Sequence, residues 1–335
     1  MILVTGGTGR FGHQLVRVLR SVGQETRCLV RKGSEYYWLN DTGCSYFFGD
    51  LRDPRSLSRA LRDVEYLIAA AGVRVERTDN HHGNVTRDGN IALFDAAVHR
   101  GVKHVVFVSC QGAEHGGDVP AFAHKKAAED HLIQSGLSYT ILRPGILAGS
   151  FADLVRKQEY NGSTFLPGRA ETRVSPLAER DLGLMCLASL ELEEVRNRAV
   201  AVGGPDTLTV GEAFNLACQA AGVVPNVWPL KPVAVNLLSK VVLPFGRRWN
   251  HHLRALGVLY GHDSAVDAAE MQRLFQLPLA SYADAITTSL AYRYPGDDPT
   301  AREEKVVHRQ FTATIYEPGV VPLASMPTGP APRQD

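Results

Sequence analysis

The chain has 335 residues, room for one large domain or two smaller ones, and its 44% hydrophobic and 21% charged residues describe an ordinary soluble globular protein. A net charge of +1 gives no global reason to expect nucleic acid, and no stretch approaches the roughly 20 apolar residues of a membrane span. The five cysteines (Cys28, Cys44, Cys110, Cys186 and Cys218) are scattered with no CxxC pair, which argues against a disulfide framework or a zinc site and for reduced thiols in a cytoplasmic setting.

The first predicted element is a strand over residues 2–5, read from an apolar run. Such a start is expected to leave no room for a targeting peptide. The run ends in Gly6-Gly7-Thr8-Gly9-Arg10-Phe11-Gly12, and a helical pattern follows with Leu15, Val16, Leu19 and Val22 on one face. Strand, glycine turn and helix in that order make a dinucleotide-binding element. Gly6 allows the tight turn, Gly9 lets the backbone approach a pyrophosphate, and Gly12 lets the helix pack closely. The helix N-terminus then offers free N–H groups and a positive dipole end to the phosphates.

Strands are predicted over 26–30, 45–48 and 66–70. Asp53 caps a helix with Pro54 in its first turn. A polar, histidine-bearing loop over 76–84 precedes a helix over 88–100, a buried strand over 105–108, a helix over 125–134 and a strand over 139–142. This alternation predicts an α/β fold with a Rossmann-type, doubly wound parallel sheet. After residue 150 helices dominate, at about 151–158, 179–190, 211–221, 232–243 and 265–275, with 199–202 as one more sheet strand. The expected organisation is a dinucleotide-binding domain over 1–150 and a smaller, mainly helical lobe over 151–294, which contributes a strand back to the sheet. A proline-rich extended tail over 295–335 completes it, with 305–316 as an added strand.

The Gly6-x-x-Gly9-x-x-Gly12 spacing resembles that of the short-chain dehydrogenase/reductase superfamily, and the Thr5-Gly6-Gly7-Thr8-Gly9-Arg10 string resembles its atypical, NmrA-like branch. That resemblance implies a bound nicotinamide dinucleotide, with Thr8 and Phe11 of the same turn among its contacts. The second strand ends in Arg31-Lys32. An acidic residue there favours a ribose 2′-hydroxyl, a basic one the 2′-phosphate. Arg31 and Lys32, with Arg10 in reach from the turn, therefore favour NADP(H), NAD(H) being the alternative. The resemblance also implies that Asp50 and Leu51, in the Gly49-Asp50-Leu51 string, lie beside the adenine. The small residues Ala70, Ala71 and Gly72 let the backbone approach the cofactor ribose.

In ordinary members of the superfamily a Tyr-x-x-x-Lys pair does the chemistry, with the tyrosine as proton donor. This chain reads Ala121-Phe122-Ala123-His124-Lys125-Lys126, so the position four before Lys125 is Ala121 and that four before Lys126 is Phe122. Neither transfers a proton. By resemblance, Lys125 still anchors the nicotinamide ribose, and Ser109 stands where the assisting serine follows the fifth strand. His124 is the nearest other titratable donor, although a histidine beside two lysines is more often a solvated helix residue. Asp181 matches the point where related extended enzymes tie the two lobes together; an acid favoured by a helix dipole is the plainer reading.

The apolar residues of 232–245, followed by Arg247, Arg248, Trp249 and Arg254, form a candidate membrane-surface or partner contact over 232–254. A core helix followed by a solvated basic turn is the competing reading. The strings Asp88-Gly89-Asn90-Ile91-Ala92-Leu93 and Ser138-Tyr139-Thr140-Ile141-Leu142-Arg143 resemble NADP-binding photosystem II assembly factors. The Rossmann-fold accessory subunit of respiratory complex I has a similar layout and also lacks the tyrosine. These resemblances imply a cofactor-binding scaffold, assembly factor or redox sensor with a protein partner, placed in the cytoplasm or at a membrane periphery. An NADPH-dependent reductase or isomerase of a small hydrophobic substrate, using another proton donor, is the alternative.

Overall fold

Alternation of buried side chains along short strands explains how the sheet of this computed structural model is covered. Residues 1–73, 76, 80–115, 117, 119–166, 169–229, 254–292 and 320–321 are described. Strands β1 (Ile2–Thr5), β2 (Thr26–Val30), β3 (Ser45–Phe48), β4 (Tyr66–Ala69), β5 (His104–Val108), β6 (Tyr139–Pro144) and β9 (Arg198–Val202) run parallel in the order β3-β2-β1-β4-β5-β6-β9. A last strand, β12 (Val320–Val321), adds to β3 antiparallel. Ile2 and Val4 of β1, with Val106 and Val108 of β5, face one core, while Leu3, Val105 and Phe107 face the other. Both faces are therefore buried, as parallel sheets require.

Helices α1 (Arg10–Ser21) and α6 (Glu179–Ala188) cover the first face, and α2 (Pro54–Ala60), α3 (Asp88–Arg100) and α4 (Pro120–Gln134) the second. Asp53 caps α2 through the backbone N–H of Arg55, with Pro54 at its first position, as its sequence predicts. A π-helix over His82–Arg87 runs directly into α3, so the predicted polar loop over 76–84 is already helical from His82. A π-turn leaves no simple period in the sequence, which is why pattern reading misses it.

A third core forms where α5 (Ala148–Asn161), α7 (Val210–Ala221) and α9 (Tyr282–Ala291) pack together around Phe151, Phe214 and Tyr282. Helix α8 (Ala268–Phe275) instead joins the first sheet face through Met271, Leu274 and Phe275. Two small sheets pair β8 (Arg173–Val174) with β10 (Leu208–Thr209), and β7 (Thr164–Leu166) with β11 (Val227–Pro229). These short strands have no counterpart in the sequence reading, since two or three residues carry too little alternation to register, and α9 has none either. The predicted helix over 232–243, the candidate contact up to residue 253 and the predicted strand over 305–316 lie outside the described residues. Among the described residues no helix is long and apolar enough to cross a membrane.

Candidate functional site

The carboxyl ends of β1, β2, β3 and β4 open into a cleft of about 480 Å³. Of the residues singled out in the sequence, Gly6, Thr8, Gly9, Arg31, Asp50, Leu51, Ala70, Ala71 and Gly72 line it. The turn after β1 explains its own glycines. Gly6 has φ +80°, and a β-carbon there would lie 2.8 Å from the backbone of Ala70 and Ala71. Only glycine meets both conditions. A β-carbon on Gly12 would lie 2.0 Å from the Gly6 carbonyl oxygen, so this glycine packs α1 against the turn itself.

Gly9 caps α1 without a side-chain hydrogen bond, and the first turn of the helix carries no acid. The start of α1 thus follows directly on the cleft-lining Gly9 without a side-chain cap, an arrangement suited to a phosphate. Arg31 is exposed at the rim, and its positive charge helps to hold the Asp50 carboxyl below its usual range. Arg52 contributes most to that shift: its guanidinium donates to both Asp50 carboxylate oxygens, at 2.9 and 2.6 Å. Lys32 and Phe11 lie outside the cleft lining.

Arg10 requires a correction. The sequence placed it in reach of a 2′-phosphate, but its guanidinium points the other way. It donates to the Gly149 carbonyl at 3.1 Å and pairs with Asp153 at 2.7 Å, both on α5. Arg10 there lines a separate cavity of about 200 Å³ with Glu179, Asp181 and Tyr292. Burial pushes the Glu179 carboxyl up, and its oxygen accepts from the Gly149 N–H at 3.0 Å. The physical reason is electrostatic: the buried Glu179 of α6 and the half-buried Asp153 of α5 stand beside the start of α1, and Arg10 is the cation that meets both. Asp181, at the head of α6, accepts from the Ala280 N–H at 2.7 Å and so ties α6 to the segment before α9.

At the other end of the cleft, the Lys125 ammonium donates to the Val108 carbonyl at 2.5 Å and sits 4.8 Å over the Phe107 ring. It reaches to 3.8 Å from where a Gly72 β-carbon would stand, which brings α4 to the cleft. Burial pushes its pKa down. The Ser109 hydroxyl, one residue beyond Val108, is buried and finds no hydrogen-bond partner among the described residues, and the same holds for the Thr5 hydroxyl at the end of β1. Orphaned hydroxyls at the strand ends are what a ligand in this cleft would satisfy. Cys110 is not activated: burial pushes its thiol up to about 11.

His124 packs on the π-helix side of α4, with its Nε2 4.0 Å from where a Gly83 β-carbon would stand. Burial, assisted by Arg87, pushes its pKa down.

Sequence reading missed Ser34, Val73, Asn80 and Val85 in the cleft wall. It also missed the pair that shapes the exit of β4. The Asn90 amide donates to the Thr86 carbonyl at 2.8 Å, and the Thr86 hydroxyl accepts from the Val73 N–H at 3.2 Å. The only available signal was a buried asparagine within a helical pattern. Helix α4 is itself held by a bidentate pair in which Arg143, on β6, donates to both oxygens of the fully buried Glu129, at 3.1 and 2.5 Å. Among the described residues no cluster of histidine, cysteine and carboxylate side chains could hold a metal ion.

The sequence profile of the NmrA-like family matches residues 1–223. The photosystem II assembly factor Ycf39 of Trieres chinensis is 32% identical over 243 residues, spanning 72% of this chain and 75% of that protein. An NAD(P)H azoreductase of Xenophilus azovorans is 28% identical over 237 residues, 71% of this chain and 78% of its own. The structure of the NADPH-dependent quinone oxidoreductase QOR2 of Escherichia coli, complexed with NADPH, superposes with a TM-score of 0.66 at 20% identity. It covers 86% of this chain and 99% of its own, a likeness of fold.

Proposed function

This chain belongs to the NmrA-like family, and on that premise we propose that it binds NADP(H) and works as a cofactor-binding scaffold, assembly factor or redox sensor that acts through a protein partner. One observation carries the reading. The cleft keeps its phosphate-binding turn and its Lys125 anchor, while Ala121 stands where a proton-donating tyrosine would be.

The residues fit the cofactor by their chemistry. The turn from Gly6 to Gly9 and the uncapped start of α1 would take the pyrophosphate. Arg31, with Lys32 beside it, would take the 2′-phosphate; a guanidinium pairs with phosphate in a bidentate way. Asp50 and Leu51 would wall the adenine side, and Ala70 to Gly72 the ribose side; all five line the cleft. An ammonium has three donors, so the bond from Lys125 to Val108 leaves two for the nicotinamide ribose. Once bound, the nicotinamide supplies or accepts a hydride. Arg10 belongs to the contact with α5 and has no part in this set.

The partner reading draws on the assembly-factor relative and assigns the contact to the lobe after residue 150. A reductase is the second reading. It is favoured by the azoreductase relative and by the unpartnered Ser109 hydroxyl next to the carbonyl that Lys125 binds. Titration with NADPH and NADH, followed by nicotinamide fluorescence, tests the proposal. Wild type should bind NADPH tightly and NADH weakly, and Arg31→Ala should weaken NADPH about tenfold, the loss of one charge-assisted contact. Absence of binding by either nucleotide overturns it. Steady NADPH oxidation with an azo or quinone acceptor, abolished by Ser109→Ala, would replace the scaffold with the reductase.

A further inference from the structure

Two of the five cysteines meet. Cys28 lies in the middle of β2 and Cys44 just before β3, and their sulfurs are 3.6 Å apart. Both are free and almost wholly buried, at 0% and 1% exposure. Cys28 pairs in register with Tyr46. Cys44, two residues earlier, therefore points to the same face of the sheet, toward α1. Two neighbours make the pair more than a core contact. Cys28 packs under the glycine turn: a β-carbon on Gly7 would lie 3.1 Å from its sulfur. Cys44 follows an exposed turn at Gly43 (φ +73°), where the Arg20 guanidinium comes within 3.5 Å of the Gly43 β-carbon position.

We propose that Cys28 and Cys44 form a reversible disulfide that reports oxidation to the glycine turn. Cys44 is the attacking thiol, because it lies one residue beneath an exposed turn and next to a cation. The hydrogen bond donated by the Cys28 thiol, with Arg20 nearby, holds Cys44 below an ordinary thiol, while that contact and burial push Cys28 up. The oxidant is a peroxide reaching Cys44 through local opening of the turn at residues 41–43. The Cys44 thiolate attacks one peroxide oxygen, the O–O bond breaks, and hydroxide leaves to give a sulfenic acid. The Cys28 thiol then attacks that sulfur, the S–O bond breaks, and water leaves. In sum two thiols and one hydrogen peroxide give one disulfide and two waters. Bonding brings the sulfurs to about 2.05 Å, a closure of about 1.5 Å. Cys28 touches Gly7, so that closure moves the support of the turn.

The test uses the full-length protein before and after hydrogen peroxide. Peptide mass spectrometry without reduction should find the Cys28–Cys44 link, and dithiothreitol should remove it. Cys28→Ser should leave a sulfenic acid at Cys44 that dimedone traps, and Cys110→Ser should change nothing. Recovery of both thiols unmodified, over-oxidation of either without a link, or pairing with another cysteine overturns the proposal; the wild-type map decides even if a variant misfolds. The expected loss of NADPH affinity on oxidation, severalfold or more and restored by dithiothreitol, rests on the NADP(H) reading. The disulfide does not, so failure of nucleotide binding and failure of the link remain distinguishable.

Discussion

The two ends of the cleft are made of different kinds of parts. At the end proposed for the phosphates the working groups are backbone: the turn from Gly6 to Gly9 and the N–H groups that open α1. At the end proposed for the nicotinamide they are side chains, Lys125 and Ser109, carried by a helix and a strand end that must be aimed. Backbone geometry is tied to the fold and is lost only with it. A side chain can be exchanged with little structural cost, and in the proposed reading Ala121 occupies the position of a proton-donating tyrosine. A protein can thus keep a nucleotide cradle after dropping the proton donor.

The sharpest way to break this contrast is at the support of α4. Arg143→Met leaves the Glu129 carboxylate buried without its guanidinium, which should cost about 3–5 kcal/mol of stability. Urea unfolding would check it. A loss under 1 kcal/mol would mean that the nicotinamide end does not depend on an aimed helix. At the phosphate end, Gly6→Ala forces a β-carbon to 2.8 Å from the backbone of β4's exit at a positive φ. We expect roughly 2–4 kcal/mol of destabilisation and no measurable NADPH binding. Retained binding would show that the turn tolerates a side chain.

Acid titration sharpens the comparison from the opposite edge of the sheet. His104, at the amino end of β5, is buried and hydrogen-bonded to the Ser138 and Thr140 hydroxyls, and burial pushes its pKa from 6.5 down to about 4. Its folded pKa lies below the unfolded one, so the unfolded chain binds more protons in this window. Stability should be intact above pH 6.5 and fall by up to about 3 kcal/mol as the pH drops to 4. His104→Gln should flatten that slope while NADPH affinity at pH 7.5, measured by fluorescence, stays as in wild type.

The smallest effect is expected at Arg10→Ala. It should lower stability by about 1 kcal/mol through the lost contacts to Asp153 and Gly149, and change NADPH affinity by less than about twofold. The same fluorescence titration, set beside Arg31→Ala, decides whether the arginine in the glycine turn is a lobe contact or a phosphate ligand.

Much of the fold was legible in the sequence because its causes are local. Short apolar runs separated by helical periods specify a parallel sheet buried on both faces, and the turn after β1 needs glycine at Gly6 for reasons contained within a few residues and one neighbouring strand. Composition, pattern and turn chemistry thereby determined the α/β class, the parallel doubly wound sheet and the glycine turn that follows β1. Tertiary structure alone decided where the long side chains go. Arg10 turned to α5, 139 residues away, His124 turned to the π-helix, Arg143 found Glu129, and Cys28 met Cys44. Such pairings depend on which charges and thiols packing leaves buried together. A sequence states periodicity and backbone constraint directly, but it names no partner for a side chain until the chain has folded.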